Sequence, residues 1–304
     1  MKEIDFSKCI CENPGYCPIY RQVMGACPPN WKWCQNATPQ RRKQHYEDRK
    51  KQQDNSQNKS YYTINPVKFN DINIIPKSKN AICVIPANDS ALSQYNITKD
   101  NIIKYAQKNN ADLVELFGDQ SPNDPMCNKY RLSQILGIYE KTLYIDCDIF
   151  IKNNAPNIFE LTPNDKISIF NEIDYFINTN NNEWITKEQG MIVEVIGHEN
   201  ASNHPGEFMF NGGVMVIPRF LAKYYSQPAH PYPNFWCFDQ HLLSLKLPKE
   251  KLYLLNYQWN LTYTSNRYKN QFFKNIDSAY FIHLNDSELN FKVEMLKLLN
   301  YMDG

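Results

Sequence analysis

The segment Asp146-Cys147-Asp148 places two carboxylates two residues apart, directly after the apolar run Thr142–Ile145. Open α/β sheets bind ligands at the carboxyl ends of their strands, and this pair is expected at such an end. Two adjacent carboxylates need a compensating cation, and hard oxygen ligands suit Mg²⁺ or Mn²⁺ bound to substrate phosphates. Two aspartates that cap the backbone of a turn would give the same pattern, so it leaves both interpretations open.

A second polar element, Asn211-Gly212-Gly213, comes directly before the apolar run Val214–Ile217. Glycines at this place allow the backbone to approach a ligand closely, or to adopt a positive φ in a tight turn. The amide of Asn211 can then point into a cleft. An ordinary turn that leads into a strand is the competing interpretation.

Two further elements lie later in the chain. Asp239-Gln240 opens an amphipathic run, where Asp239 is predicted to be a helix N-cap. His283 lies inside the apolar segment Tyr280–Leu284, which is typical of a strand. A histidine in such a strand is either a satisfied core residue or a metal ligand.

The first 38 residues are rich in cysteine, proline and glycine, which predicts a loop-rich segment. Four thiolates on short loops can bind a structural zinc ion, and such a segment needs a staple of this kind. An iron–sulfur cluster and unpaired thiols are the alternatives. We assign the zinc ligands as Cys9, Cys11, Cys17 and Cys34, with Cys27 as the spare thiol.

Composition excludes several classes of protein. The formal net charge is +1, which argues against a nucleic-acid binder, and 42% hydrophobic residues argue against a disordered chain. No apolar stretch is long enough for a transmembrane helix, and the first ten residues lack the apolar region of a signal peptide. We therefore expect a cytoplasmic location and cysteines without a disulfide framework.

The order of the predicted elements indicates an α/β fold. Apolar strands at 81–86, 113–117, 142–145 and 214–217 are interspersed with predicted helices at 96–110 and 126–139. This alternation predicts a mostly parallel sheet with helices on both faces. Residues 1–60 are predicted to form the cysteine-rich segment followed by a charged, solvated helix and linker, and residues 61–304 the α/β domain.

Taken in chain order, these motifs resemble the nucleotide-sugar glycosyltransferases of the GT-A fold, and most of all the family-8 group of glycogenin-like and lipopolysaccharide galactosyltransferase-like enzymes. The resemblance covers roughly residues 80–290. Tyr130-Arg131-Leu132 followed by the strand is similar to that family's helix-then-strand entry to the D-x-D motif. The motifs in order are Asp146-x-Asp148, Phe210–Val214, Asp239-Gln240, Trp259-Asn260 and Ile282-His283.

The resemblance implies a role for each matched residue. Asp146, Asp148 and His283 would hold Mn²⁺ or Mg²⁺, with Asp146 also near the ribose. Ala87 would contact the uracil and ribose, and Arg131 the donor sugar or diphosphate. The implied residues around the transferred sugar are Asn211, Gly212 and Gly213 in the donor-sugar pocket, and Asp239 and Gln240 beside the anomeric carbon.

The implied function is metal-dependent transfer of a sugar from a nucleoside diphosphate sugar, UDP-linked and with retention, to a glycan, lipid-linked or protein acceptor. A catalytically inactive nucleotide-sugar or glycan-binding protein is the alternative, and a zinc-organised interaction module is a third. The sequence departs from the family at the phosphate clamp. His283 is followed by Leu284–Glu288, and the next basic residue is Lys292.

Overall fold

The structure is a computed structural model, and it describes residues 63–121, 125–173, 183–229, 231–233, 237–263, 269–285 and 289–303. The cysteine-rich segment and the charged helix predicted after Thr38 lie outside these residues. The zinc site of Cys9, Cys11, Cys17 and Cys34 therefore stays a prediction.

The described residues form eleven strands, seven α-helices and six short 3₁₀ helices. The strands are β1 Thr63–Ile64, β2 Asn80–Val84, β3 Ala111–Glu115, β4 Lys141–Ile145, β5 Ile149–Ile151, β6 Ile167–Asn171, β7 Phe210–Pro218, β8 Tyr232–Pro233, β9 Leu252–Leu255, β10 Leu261–Thr262 and β11 Phe281–His283. The α-helices are α1 Asp89–Lys108, α2 Ser133–Leu136, α3 Ile158–Leu161, α4 Glu183–Ile196, α5 Phe238–Lys246, α6 Lys269–Asn275 and α7 Leu289–Asp303. The 3₁₀ helices are Pro125–Leu132, His198–Asn200, Arg219–Tyr224, Lys249–Lys251, Tyr257–Trp259 and Ile276–Ser278.

A six-stranded mixed sheet with the order β3-β2-β4-β7-β6-β9 is flanked by helices. Three of its strand pairs are parallel, and β7 is antiparallel to both of its neighbours. A second sheet, β10-β11-β5, lies beside the point where β4 ends. The predicted mostly parallel α/β fold is confirmed, and the antiparallel β7 brings its own N-terminal residues to the carboxyl end of β4.

Burial explains why the central strands read as continuous apolar runs. All residues of β4, and all but the first of β2, are buried, as expected for strands covered on both faces. Helix α1 packs against them with Tyr95, Ile102 and Tyr105, which recur at near-helical spacing. The helix begins seven residues before the predicted start, since Asn88 caps it by accepting a hydrogen bond from the Ala91 amide.

The segment predicted to be one helix over 126–139 is mostly a 3₁₀ helix, followed by the single turn of α2. Tyr130, Arg131 and Leu132 are consecutive and all buried. A regular helix on a sheet buries one stripe and exposes the other face, so three buried neighbours do not fit that geometry. Packing on all sides therefore overrides the spacing of Tyr130, Ile135 and Ile138.

The glycine pair lies inside β7 and not in a turn before it. Ile169 of β6 pairs with Met215, whereas the next residue, Phe170, pairs with Asn211. Gly212, Gly213 and Val214 therefore lie between the two paired positions as a bulge. Bulges next to functional sites redirect the chain, and this one faces the end of β4.

Within the described ranges, no helix is long and apolar enough to cross a membrane.

We predict that Asn101→Ala destabilises the fold. The buried Asn101 amide donates to the carbonyl of Ile151, and its oxygen accepts from the Ile151 amide at 2.8 Å, which satisfies the outer edge of β5. Unpaired buried backbone groups cost about 1–3 kcal/mol. Urea denaturation should therefore show a loss of that size in the free energy of unfolding. Lys104→Ala, at an exposed position of the same helix, is the matched control. An equal effect of both variants would contradict the assignment.

Candidate metal centre and active-site cleft

Three side chains from separate parts of the chain meet at the end of β4. Asp146 directly follows β4, Asp148 directly precedes β5, and His283 ends β11. One ligand atom from each lies within 4.8 Å of the others. The antiparallel pairing of β11 with β5 sets His283 opposite Ile149, and therefore beside Asp148. The predicted grouping of these three residues is present in the structure.

The imidazole ring of His283 is oriented toward both aspartates. Nε2 of His283 lies 3.4 Å from Oδ1 of Asp148 and 3.8 Å from Oδ2 of Asp146. The same nitrogen thus faces both carboxylates. Two carboxylates and an imidazole nitrogen, all facing one point, are a donor set that suits Mn²⁺ or Mg²⁺. The residues present therefore fit a divalent cation, and the fit rests on their chemistry and convergence.

Two lysines neutralise the carboxylates. Nζ of Lys129 lies 3.1 Å from Oδ2 of Asp146, and Nζ of Lys292 lies 2.8 Å from Oδ2 of Asp148. Burial acts to raise the pKa of Asp148, but His283 and Lys292 outweigh it and hold that pKa well below its usual range. Asp148 is therefore a carboxylate at neutral pH, ready to bind a cation.

Tyr144 supports the other aspartate. Its hydroxyl donates to Oδ1 of Asp146 at 2.5 Å. Burial, together with the charge of Asp146, raises the pKa of Tyr144 well above its usual value, so the phenol keeps its proton and remains a donor. With Lys129 on Oδ2, both oxygens of Asp146 are held in place.

A cavity of about 300 Å³ opens beside this centre. Its lining combines the start of α1 with the end of β4, which is where an open α/β sheet takes a ligand. Ala87, predicted to contact the nucleoside, lines the cavity together with Asn88, Lys129 and Asn285. The structure thus places Ala87, the two aspartates and His283 around one cleft.

Asp239 and Gln240 lie in the first turn of α5. Asp239 is not the N-cap, because Cys237 takes that position with a φ of 65°, and the helix begins at Phe238. The Asp239 carboxylate is buried, with the Tyr225 hydroxyl 3.5 Å away. Burial raises its pKa, the charge of Lys129 opposes that rise, and the charge of Asp146 adds to it. The positive charge of Lys129 thus acts on both Asp146 and Asp239.

The two glycines of β7 make room for this arrangement. A Cβ on Gly213 would lie 2.3 Å from Cε1 of His283 and 2.7 Å from Nδ1. A Cβ on Gly212 would lie 3.1 Å from Cγ of Gln240. The Gly212 amide also donates to the side-chain oxygen of Gln240. Glycine is needed at 213 because the imidazole ring occupies the space of a side chain.

Asn211 and Arg131 are not brought into the cleft. Asn211 is 2% exposed, and its amide is bonded to Glu172, Asn260 and the Gly213 backbone. Arg131 is also buried, and its guanidinium donates to the carbonyls of residues 116, 117 and 118. That Arg131 reaches the donor stays a prediction. Its donors secure the loop after β3, and the basic residue in the cleft is Lys129.

Sequence reasoning missed three residues of this region. Lys129 lies two positions before Arg131, and a basic residue ahead of the D-x-D strand was the available signal. Lys292 had a weaker signal, as the next cation after His283. The role of Glu172 had none, because its contact with Asn211 joins β7 to the chain just after β6.

No protein-family model matches the sequence, and no curated protein matches it significantly. Solved structures do. The chain is similar to the bifunctional glycosyltransferase WbbM, with a TM-score of 0.50 and 15% identity over 77% of this chain and 53% of that one. A glycosyltransferase involved in glycosylation of the major capsid of PBCV-1 aligns at TM-score 0.48 and 13% identity, over 72% and 98% of the chains. GlyE of Streptococcus pneumoniae TIGR4 aligns at TM-score 0.42 and 14% identity, over 73% and 63%.

The likeness to WbbM shows a shared fold. The fold is therefore the mixed α/β class found in glycosyltransferase structures. This chain spans about half the length of the WbbM chain, with 53% of it covered.

We predict that Gly213→Ala disrupts the metal centre. Because the new methyl group would overlap the His283 ring, we expect Mn²⁺ affinity in calorimetry to fall about 10-fold or more. Gly190→Ala is the control, since a Cβ there meets no atom within 4 Å. Melting temperatures of Gly213→Ala, His283→Ala and the double variant separate the clash from general damage. Stability losses that simply add would rule out the clash.

Proposed function

We propose that the protein is a metal-dependent glycosyltransferase, which transfers a sugar from a nucleoside diphosphate sugar to a hydroxyl of a glycan, lipid-linked or protein acceptor. The observation that carries the proposal is the meeting of Asp146, Asp148 and His283 at one point of the cleft. The family-8 resemblance supports UDP as the nucleotide and retention of the anomeric configuration, and these finer points are part of the proposal.

The donor's leaving group dictates the charge that the site must supply. Transfer breaks the bond between the anomeric carbon and a diphosphate oxygen, forms one from that carbon to the acceptor oxygen, and passes the proton of the acceptor hydroxyl to the leaving diphosphate. Negative charge then develops on the diphosphate. A bound divalent cation supplies electrostatic stabilisation of that charge. Asp146, Asp148 and His283 would hold it, with Asp148 ionised as its lowered pKa requires.

Lys129 and Lys292 are placed to take part in diphosphate binding. Each ammonium pairs with one of the aspartates, at 3.1 and 2.8 Å. With a cation held there, Lys129 and Lys292 would share the two carboxylates with it, and their remaining N–H groups would be available to donate to a diphosphate. Lys292 would thereby serve as the clamp whose usual sequence is missing after His283.

The sugar is expected at the start of α5. The transition state of glycosyl transfer is oxocarbenium-like, so negative and polar groups near the anomeric carbon stabilise it. Asp239 is a buried acid, and the charge of Lys129 acts on it as well as on Asp146. Gln240 is oriented by the Gly212 amide. We assign both residues to the sugar.

We predict that Asp148→Asn abolishes cation-dependent donor binding. The variant removes a negative ligand and leaves Lys292 without its partner. Titration of UDP in the presence of Mn²⁺ should show at least about a 10-fold loss of affinity. The control is Asp277→Asn, at an exposed carboxylate of a 3₁₀ helix. EDTA should bring the wild type to the level of the variant. Wild-type affinity in Asp148→Asn would refute the metal assignment.

We predict that Asp239→Asn separates binding from turnover. Its carboxylate is assigned to the sugar, so UDP affinity should change by less than about 3-fold, while kcat for donor hydrolysis or transfer falls about 100-fold or more. Asp277→Asn again serves as the control. A variant that loses UDP affinity but keeps kcat would reverse the assignment. Tight UDP binding by the wild type without turnover of any donor would instead favour the binding-protein alternative.

A further inference from the structure

Four buried side chains form a continuous chain of hydrogen bonds that ends at the metal centre: Glu172, Asn211, Asn260 and His283. We propose that Asn211 and Asn260 are positioning residues, which hold His283 in the tautomer that carries its proton on Nδ1 and presents Nε2 to the two aspartates. This deepens the proposed function, on whose cation site it rests.

The orientation of the first amide follows from the backbone. The Gly213 N–H can only donate, and it lies 2.9 Å from Oδ1 of Asn211. The atom it meets must therefore be the amide oxygen. The other end of the same amide, Nδ2, donates to a carboxylate oxygen of Glu172 at 2.5 Å. Asn211 is thus fixed at both ends by partners that cannot exchange roles.

That orientation determines the next one. Oδ1 of Asn211 also meets the side chain of Asn260, at 2.9 Å. An amide oxygen accepts only, so Asn260 must turn its NH₂ group toward it. Its oxygen then faces Nδ1 of His283, at 3.0 Å. An oxygen in that place requires a proton on Nδ1.

The consequence for His283 is a free lone pair on Nε2. The protonated ring carries a hydrogen on both nitrogens, and it is this form that lowers the pKa of Asp148. The neutral ring, which is the form that binds a metal, carries one proton, and with that proton on Nδ1 the other nitrogen is an acceptor. Nε2 is the nitrogen that faces Asp146 and Asp148. Histidines that bind metals usually donate their other N–H to such a partner, which fixes both tautomer and ring orientation.

Burial makes the orientations of the two amides costly to reverse. Asn260 is fully buried, Asn211 and His283 are each 2% exposed, and Glu172 is 7% exposed. Turning either amide would bring two oxygens or two NH₂ groups together, away from water that could compensate. The absent Cβ of Gly213 adds to this control, because it leaves space for the Nδ1 edge of the ring.

The competing role for Asn211 is direct contact with the donor sugar. Asn211 does not line the cavity that the described residues form at the metal centre, and both ends of its amide are engaged. Its influence on the site therefore passes through Asn260, and the two roles make different predictions.

The test reads the tautomer directly, in protein without metal. Long-range ¹H–¹⁵N NMR, recorded in the pH range where the ring signals no longer change, distinguishes Nδ1–H from Nε2–H. The spectrum of His283→Gln identifies the His283 signals. We expect Nδ1–H in the wild type. A wild type in the Nε2–H form overturns the proposal without recourse to any variant of the two asparagines.

Variants of the asparagines test whether the hydrogen bonds from Asn211 through Asn260 set the tautomer of His283. Asn260→Leu and Asn260→Ala should lose the Nδ1–H preference and weaken Mn²⁺ binding about 10- to 100-fold. Asn211→Ala should act in the same direction, although it does not contact the ring. Asn290→Ala, at an exposed position of α7, is the control. An Asn211→Ala protein with an unchanged tautomer and Mn²⁺ affinity, but a raised donor KM, would establish the sugar-contact role instead.

The cation site and the hydrogen-bond network that positions His283 can be refuted separately. If the wild type shows Nδ1–H but binds no Mn²⁺, the positioning network stands and the cation site fails. If Mn²⁺ binds tightly while His283 is in the Nε2–H form, the site stands and the network is wrong.

Discussion

Two carboxylates with little access to water must have their charge compensated, and the described part of the chain is arranged around that requirement. Asp146 and Asp148 come just after the buried strand β4, and their side chains line the cleft. Lys129, Lys292 and the imidazole of His283 approach them from three other segments. The ammonium groups of Lys129 and Lys292 are on flexible side chains, so their pairing with the carboxylates is reversible. The proposed binding of a metal cation by the same carboxylates requires this.

The antiparallel β7 follows from the same requirement. A parallel strand in its place would begin at the other edge of the sheet, and its first residues would lie far from the cleft. Because β7 runs the opposite way, its bulge supplies both a backbone donor and a space without a side chain next to His283. The polar residues beneath the ring are consequently ordered by the sheet itself, and their amide orientations originate from one peptide N–H of Gly213.

The features that could be predicted from the sequence lie within short segments or follow the order of motifs in the resembled family. The buried strands, the D-x-D at the end of β4 and the strand that carries His283 were all recognisable from short segments. The role of Lys129 could not be predicted, because only tertiary packing decides that Arg131 is bonded to carbonyls while Lys129 lines the cavity. The bulge in β7 was also out of reach, since it depends on the register with β6. The roles of Asp239 and Gln240 remain predictions that the geometry permits and experiment must decide.

The last helix has a consequence for the genetics of this protein. Lys292 ties α7 to Asp148 near one end, and Asp303 accepts a hydrogen bond from the Asn153 amide at the other, 2.6 Å away. A stop codon shortly before codon 289 would leave all eleven described strands encoded. It would nevertheless remove the ammonium that balances Asp148 and expose the apolar cluster to which Leu296 belongs. Nonsense alleles just ahead of α7 should therefore behave as loss-of-function alleles.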